Sequence, residues 1–67
     1  MEISVNNKFV LHSSNGHDYR IEVVNINFFR PPDMVYAIDV WDDNNIYMGD
    51  VQFVGEDFFT NNKVERI

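Results

Sequence analysis

Ser13, Ser14, His17 and Asp18 fall within one short stretch and are the residue types of a nucleophile, a base and an orienting acid. Their closeness argues against that chemistry, because a working triad draws its members from distant elements. Serine and aspartate at a turn satisfy the turn's own backbone instead. A second cluster, Asp39, Asp42, Asp43, Asn44, Asn45 and Asp50, offers the oxygen ligands that calcium or magnesium prefers. EF-hand spacing fails there, with no Gly at the sixth loop position and no Glu at the twelfth. Asp-Asp-Asn-Asn is also the composition of a tight hairpin tip. His12 and His17 lack a third ligand at a recognisable spacing, which argues against zinc. Gly16, Gly49 and Gly55 are isolated and make no phosphate-binding loop. Carboxylate pairs for glycosidase-type chemistry are available, yet so short a chain leaves little room for a substrate cleft. The expectation is a protein with no catalytic residues, no metal and no cofactor.

The remaining candidates are aromatic and acidic. In the stretch Met34 to Phe53, Met34, Tyr36, Ile38 and Val40 alternate with more polar neighbours, and Tyr47, Val51 and Phe53 do the same after Asp43-Asn44. A two-residue turn there sets Met34 against Phe53, Tyr36 against Val51, Ile38 against Gly49 and Val40 against Tyr47. All these apolar partners then share one face, as a half-buried antiparallel pair requires. Tyr36, Ile38, Val40, Val51 and Phe53 become the expected core. On the opposite face Trp41 pairs with Ile46, and Asp39 with Met48. Trp41, Ile46 and Met48, bordered by Asp39, Asp42, Asp43 and Asp50, have the composition of a protein-binding hot spot for a basic partner. The alternative is that the N-terminal segment covers Trp41. Phe28-Phe29-Arg30-Pro31-Pro32 is a second candidate surface, with Phe28 in the core, although a structural turn accounts for it as well.

The elements that must hold these residues read as strands over 8–12, 18–29, 34–41, 46–54 and 63–67. Around Asn15-Gly16, a three-residue loop of Ser14, Asn15 and Gly16 sets Leu11 against Tyr19 and Phe9 against Ile21, apolar against apolar. Tyr19, Ile21 and Val23 share one parity, and Val24, Ile26 and Phe28 the other. One extra residue near Val23-Val24 would return both sets to the core, which is the signature of a bulge. Pro31-Pro32 ends that strand. Residues 56–62 suit a single helical turn, with acids near its start and Asn at its end. Two hairpins, a proline break, a helical turn and a closing strand make an all-β chain that resembles the SH3-like small barrel, here five-stranded and antiparallel. The resemblance is topological, spans roughly residues 8–67 and carries no binding motif.

Composition sets the outer limits. Sixty-seven residues make one small domain, residues 1–67, and such a chain buries only about 60% of its unfolded surface. Its core must be dense, which 45% hydrophobic residues with six Phe, three Tyr and one Trp can supply. No cysteine is present to form a disulfide or a thiolate site. Nothing approaches the length of a membrane span, and Met1 is followed by Glu2 rather than by a basic and then apolar stretch, so a cytoplasmic protein without a leader is expected. Nine Asn and a single Ala suggest an AT-rich genome, bacterial or phage.

The formal net charge is −6. Between Pro31 and Asn62 stand Asp33, Asp39, Asp42, Asp43, Asp50, Glu56 and Asp57, with no Lys or Arg. That distribution disfavours nucleic acid and anionic lipid as partners and permits a protein with a basic surface. The expected function is therefore a non-catalytic acidic protein-binding module, in a phage or mobile-element setting an inhibitor of a host protein. Mimicry of DNA phosphates is one form this could take. The alternatives are a homodimer or larger homo-oligomer through exposed strand edges, and a small-molecule site lined by Tyr19, Tyr36 and His12.

Overall fold

A computed structural model describes residues 2–67 and shows one open, five-stranded antiparallel sheet with a short helix on one face. In chain order the elements are β1 (Lys8–His12), β2 (Asp18–Ile26), a 3₁₀ turn (Pro32–Met34), β3 (Tyr36–Trp41), β4 (Gln52–Val54), α1 (Glu56–Asn61) and β5 (Lys63–Arg66). The strand order is β4-β3-β2-β1-β5, so β4 and β5 are the two edges. Among the described residues no ladder joins them, and the expected barrel is not closed.

The first hairpin forms as its residues demand. Phe9 faces Ile21 and Leu11 faces Tyr19, and Ser13 N–H donates to His17 C=O across the three-residue loop. Gly16 sits at φ +87°, a conformation costly for any residue with a side chain. The bulge is also present: the β2–β3 register slips between Val23 and Asn25. Val24, expected in the core, is itself the extruded residue at 36% exposure, while Val23 stays fully buried.

The second hairpin departs from expectation in three linked ways. Its turn has three residues, Asp43, Asn44 and Asn45, with Asp42 N–H donating to Ile46 C=O and Asn45 at φ +64°. The extra turn residue reverses parity beyond it, so Trp41 pairs with Tyr47 rather than with Ile46. Further along, Gly49 and its neighbours bulge out, and the ladder resumes with Ile38 against Gln52, Ala37 against Phe53 and Tyr36 against Val54. Tyr36, Ile38 and Val40 are core as expected, but Val51 and Phe53 are not, being 40% and 42% exposed. The expected strand 46–54 therefore contracts to Gln52–Val54 plus an isolated bridge at Tyr47.

Other boundaries also move. β2 stops at Ile26: Asn27 N–H makes a last bond to Val35 C=O, and then Asn27 C=O accepts from Arg30 N–H and its side chain from Phe29 N–H, which turns the chain. Phe28 is thereby left 76% exposed instead of entering the core. β3 begins at Tyr36, since Pro32–Met34 form the 3₁₀ turn; proline's fixed φ suits a first helical position. β5 ends at Arg66.

One face of the sheet is dry. Phe9, Ile21, Val23 and Ile38 are almost completely buried, and Phe59 of α1 closes over them with its ring 5.2 Å from Phe9 and 5.5 Å from Tyr36. Ile3 and Phe58 pack at the margin of this cluster. An isolated six-residue helix is unstable in water, so α1 persists through that buried aromatic contact. Among the described residues, no helix is long and apolar enough to cross a membrane.

Candidate functional site

Both hairpin turns have the same backbone construction. Gly16 N–H returns to Ser13 C=O, as Asn45 N–H does to Asp42 C=O. Asp42 Oδ1 accepts from the N–H groups of Asn44 and Ile46, 2.9 Å each, so this carboxylate is engaged in holding its own turn. The turns meet through His17 Nδ1, which donates to Asp43 Oδ2 at 2.6 Å. That hydrogen bond, together with the nearby charge of Asp42, raises the His17 pKa above its ordinary value. His12 is raised in the same way by its hydrogen bond to Asp18 at 2.9 Å, with Glu65 of β5 assisting at 3.6 Å. The histidine–carboxylate pairs thus connect β1, β2, β5 and the second turn. Ser13 Oγ accepts a long bond from Asn15 N–H, and Ser13 and Ser14 take no part in these pairs.

The outward face of the second hairpin holds the aromatic pair. Trp41 and Tyr47 rings lie 5.6 Å apart at 56°. Tyr47 Oη donates to Asp39 Oδ1 at 2.7 Å, which raises the phenol pKa by stabilising the protonated form. From β2, the Arg20 guanidinium stands 5.1 Å from the Trp41 ring centre, a cation–π contact. Parity places Asp39 and Trp41 on the same side, away from Ile38 and Val40.

Of the residues expected to form a binding face, Asp39 and Trp41 are together there, and Asp42 and Asp43 lie at the adjoining turn. Ile46 is 62% exposed on the strand leaving it. Asp50 is exposed in the bulge further along. Met48 is displaced from the group. Its N–H bonds Val40 C=O, and its side chain borders an apolar groove of about 180 Å³ on the opposite face, with Tyr19, Val40, Gln52 and Phe58. The sequence pattern sets Tyr47 on the core-facing side of the hairpin, and it points to neither Arg20 nor His17 as part of this face. The missed signal is turn length, since a three-residue turn moves Tyr47 to the outer face at once.

The other candidates are scattered. Tyr19 lines the apolar groove, His12 borders a separate cleft with Ser13 and Lys63, and Tyr36 Oη donates to Glu56 at the far end of the sheet. Burial, followed by that bond, raises the Tyr36 pKa. Arg30 ties the loop after β2 by donating to the C=O groups of Met34 and Val35, and it stacks 5.0 Å from the Phe53 ring centre. Phe29, beside it, is fully exposed. Among the described residues, no three His, Cys, Asp or Glu side chains converge so as to hold a metal ion. Compared with known protein families, curated proteins and solved structures, the chain finds no match.

Proposed function

We propose that this protein is a non-catalytic, acidic protein-binding module that engages a basic partner through the outward face and tip of its second hairpin. The observation that carries this reading is the Trp41–Tyr47 ring pair, partly open to solvent, with Asp39, Asp42 and Asp43 around it and Ile46 alongside. Aromatic rings supply contact area with little rotameric freedom to lose, and the acids supply the field that draws a Lys/Arg-rich surface to them. Tyr47 takes over as an anchor in place of Met48. In a phage or mobile-element setting, binding of this kind would inhibit a host protein. The meander order with a helical turn before the last strand supports relating the fold to SH3-like small barrels, a scaffold that hosts many functions. A cytoplasmic location is part of the same proposal.

The test begins with affinity capture from a source lysate and continues with binding kinetics on the captured partner. Association should slow as salt rises from about 0.05 to 0.5 M, since the screening length shrinks from roughly 14 to 4 Å. Asp42→Asn with Asp43→Asn should reduce the association rate and leave the fold in place, because Asn keeps the turn-capping oxygen. Trp41→Ala should act on dissociation instead. Salt-independent association together with a parental dissociation rate for Trp41→Ala would overturn the proposal.

A further inference from the structure

We propose that the outer edge of β4, which no strand of the described residues pairs, is a second docking surface, which takes an extended partner segment of apolar residues flanked by Lys or Arg as a sixth strand. The two edges of this sheet are not alike. β5 carries Lys63, Glu65 and Arg66, charges that discourage edge pairing. Val51, Gln52, Phe53 and Val54 carry no charge and no proline.

Backbone alternation shows which groups this edge offers. Val35 C=O accepts from Asn27, on the β2 side, and Val40 C=O accepts from Met48, on the β4 side. Odd residues of β3 therefore bond β2 and even residues bond β4. Since Tyr36 and Ile38 face Val54 and Gln52, those two residues of β4 turn inward, and Phe53 directs its N–H and C=O away from the sheet. At the end of the strand lies a cleft of about 450 Å³, with Pro32, Phe53, Val54 and Phe58 as apolar walls and Asp33 and Asp57 among its lining. An edge with outward main-chain groups beside a side-chain cleft is the arrangement by which sheets bind extended peptides.

Charge selects the occupant. Pairing two copies edge to edge would bring together two molecules of net charge −6, with Asp33, Asp50 and Asp57 of each close to the seam. Like charges crowded at a strand pair disfavour it. Asp50 at one end and Asp33 and Asp57 at the other complement a partner segment with Lys or Arg at both ends.

The probe is a synthetic peptide, Lys-Lys-Val-Thr-Val-Lys-Lys, titrated into the isotope-labelled full chain, with a Glu-flanked counterpart as control. The basic peptide should shift the amide signals of Val51–Val54 and slow hydrogen exchange at Phe53, while those of Asp42–Asn45 stay in place. The Glu-flanked peptide should bind at least about tenfold more weakly. Phe53→Pro removes the outward N–H and should lower affinity by about tenfold, whereas Phe53→Ala keeps the N–H and should retain main-chain addition. Asp50→Lys combined with Asp57→Lys changes exposed positions only and should reverse the preference between the two peptides. Equal binding of both peptides, shifts confined to other residues, or self-association through the same amides would each overturn the proposal. Trp41→Ala should leave peptide binding unchanged, which separates this surface from the hairpin-face reading.

Discussion

Gly55 lies at the junction of β4 and α1, and adding a single methyl group there tests the packing of the 3₁₀ turn against the sheet. Its φ of −103° suits any residue, so Gly55→Ala introduces no backbone strain of its own. The obstacle is space: a Cβ at Gly55 would stand 2.3 Å from Pro32 O and 2.8 Å from Asp33 Cα, where ordinary contacts begin near 3.4 Å. Both neighbours are main chain, so relief requires the 3₁₀ turn or β4 to move by about 1 Å, not a rotamer change. Overpacking of this kind costs about 1–3 kcal/mol, and backbone neighbours put the cost at the upper end. Reduced freedom of the unfolded chain offsets roughly 0.4–1 kcal/mol. The net loss should be about 2 kcal/mol, set against the roughly 3–10 kcal/mol available to a chain of this size. Urea titration followed by circular dichroism measures it. Gly49→Ala is the contrast, because nothing lies within 4 Å of its added Cβ but its φ is +101°; it should cost about 1–2 kcal/mol from strain alone. A Gly55→Ala midpoint within about 0.5 kcal/mol of the parent would refute the close approach of the 3₁₀ turn to β4.

Ile38→Ala should cost about 2–4 kcal/mol and Val51→Ala less than about 1 kcal/mol, since Ile38 is 1% exposed and Val51 40%; equal losses in thermal or urea melts would contradict the register. In the first turn Gly16→Ala should destabilise by about 1 kcal/mol, whereas Asn45→Gly should be nearly neutral, because both positions hold positive φ and Gly adopts it freely. Both histidines should titrate above their ordinary pKa in NMR, with Asp43→Asn lowering His17 and Asp18→Asn lowering His12. Their folded-state values are raised, so the stability they contribute is complete below the unfolded value of about 6.5 and is lost as pH rises through the folded value. The double variant His12→Asn with His17→Asn should flatten that part of the stability–pH profile.

Much of the framework was legible in the sequence. Asn15-Gly16 offers a residue free to take positive φ, and only a three-residue loop there sets Phe9 against Ile21 and Leu11 against Tyr19, as observed. The parity change after Val23 located the bulge, because a chain can bury both Val23 and Ile26 only by extruding a residue between them. The helical turn and the last strand followed from the acids, aromatics and Asn of residues 56–62 and from the short run after them. The Asp39, Trp41, Asp42 and Asp43 part of the candidate site was also reached from sequence.

The second hairpin depended on the tertiary structure. Asp-Asp-Asn-Asn accepts a two-residue or a three-residue turn with similar local chemistry. Ile46, Tyr47 and Met48 are all apolar, so neither parity is penalised by its own strand. A contact distant in sequence discriminates between them, Asp43 reaching His17 in the other turn, and within the hairpin the longer turn then lets Tyr47 meet Trp41 and Asp39 on the outer face. Phe28 likewise cannot enter the core, because Asn27 takes Arg30 N–H on its C=O and Phe29 N–H on its side chain, and the turn so formed carries Phe28 out of the inward row. A run of residues records which side chains prefer burial. How long each turn is, and hence which face each later residue takes, follows from what the neighbouring elements bring to meet it.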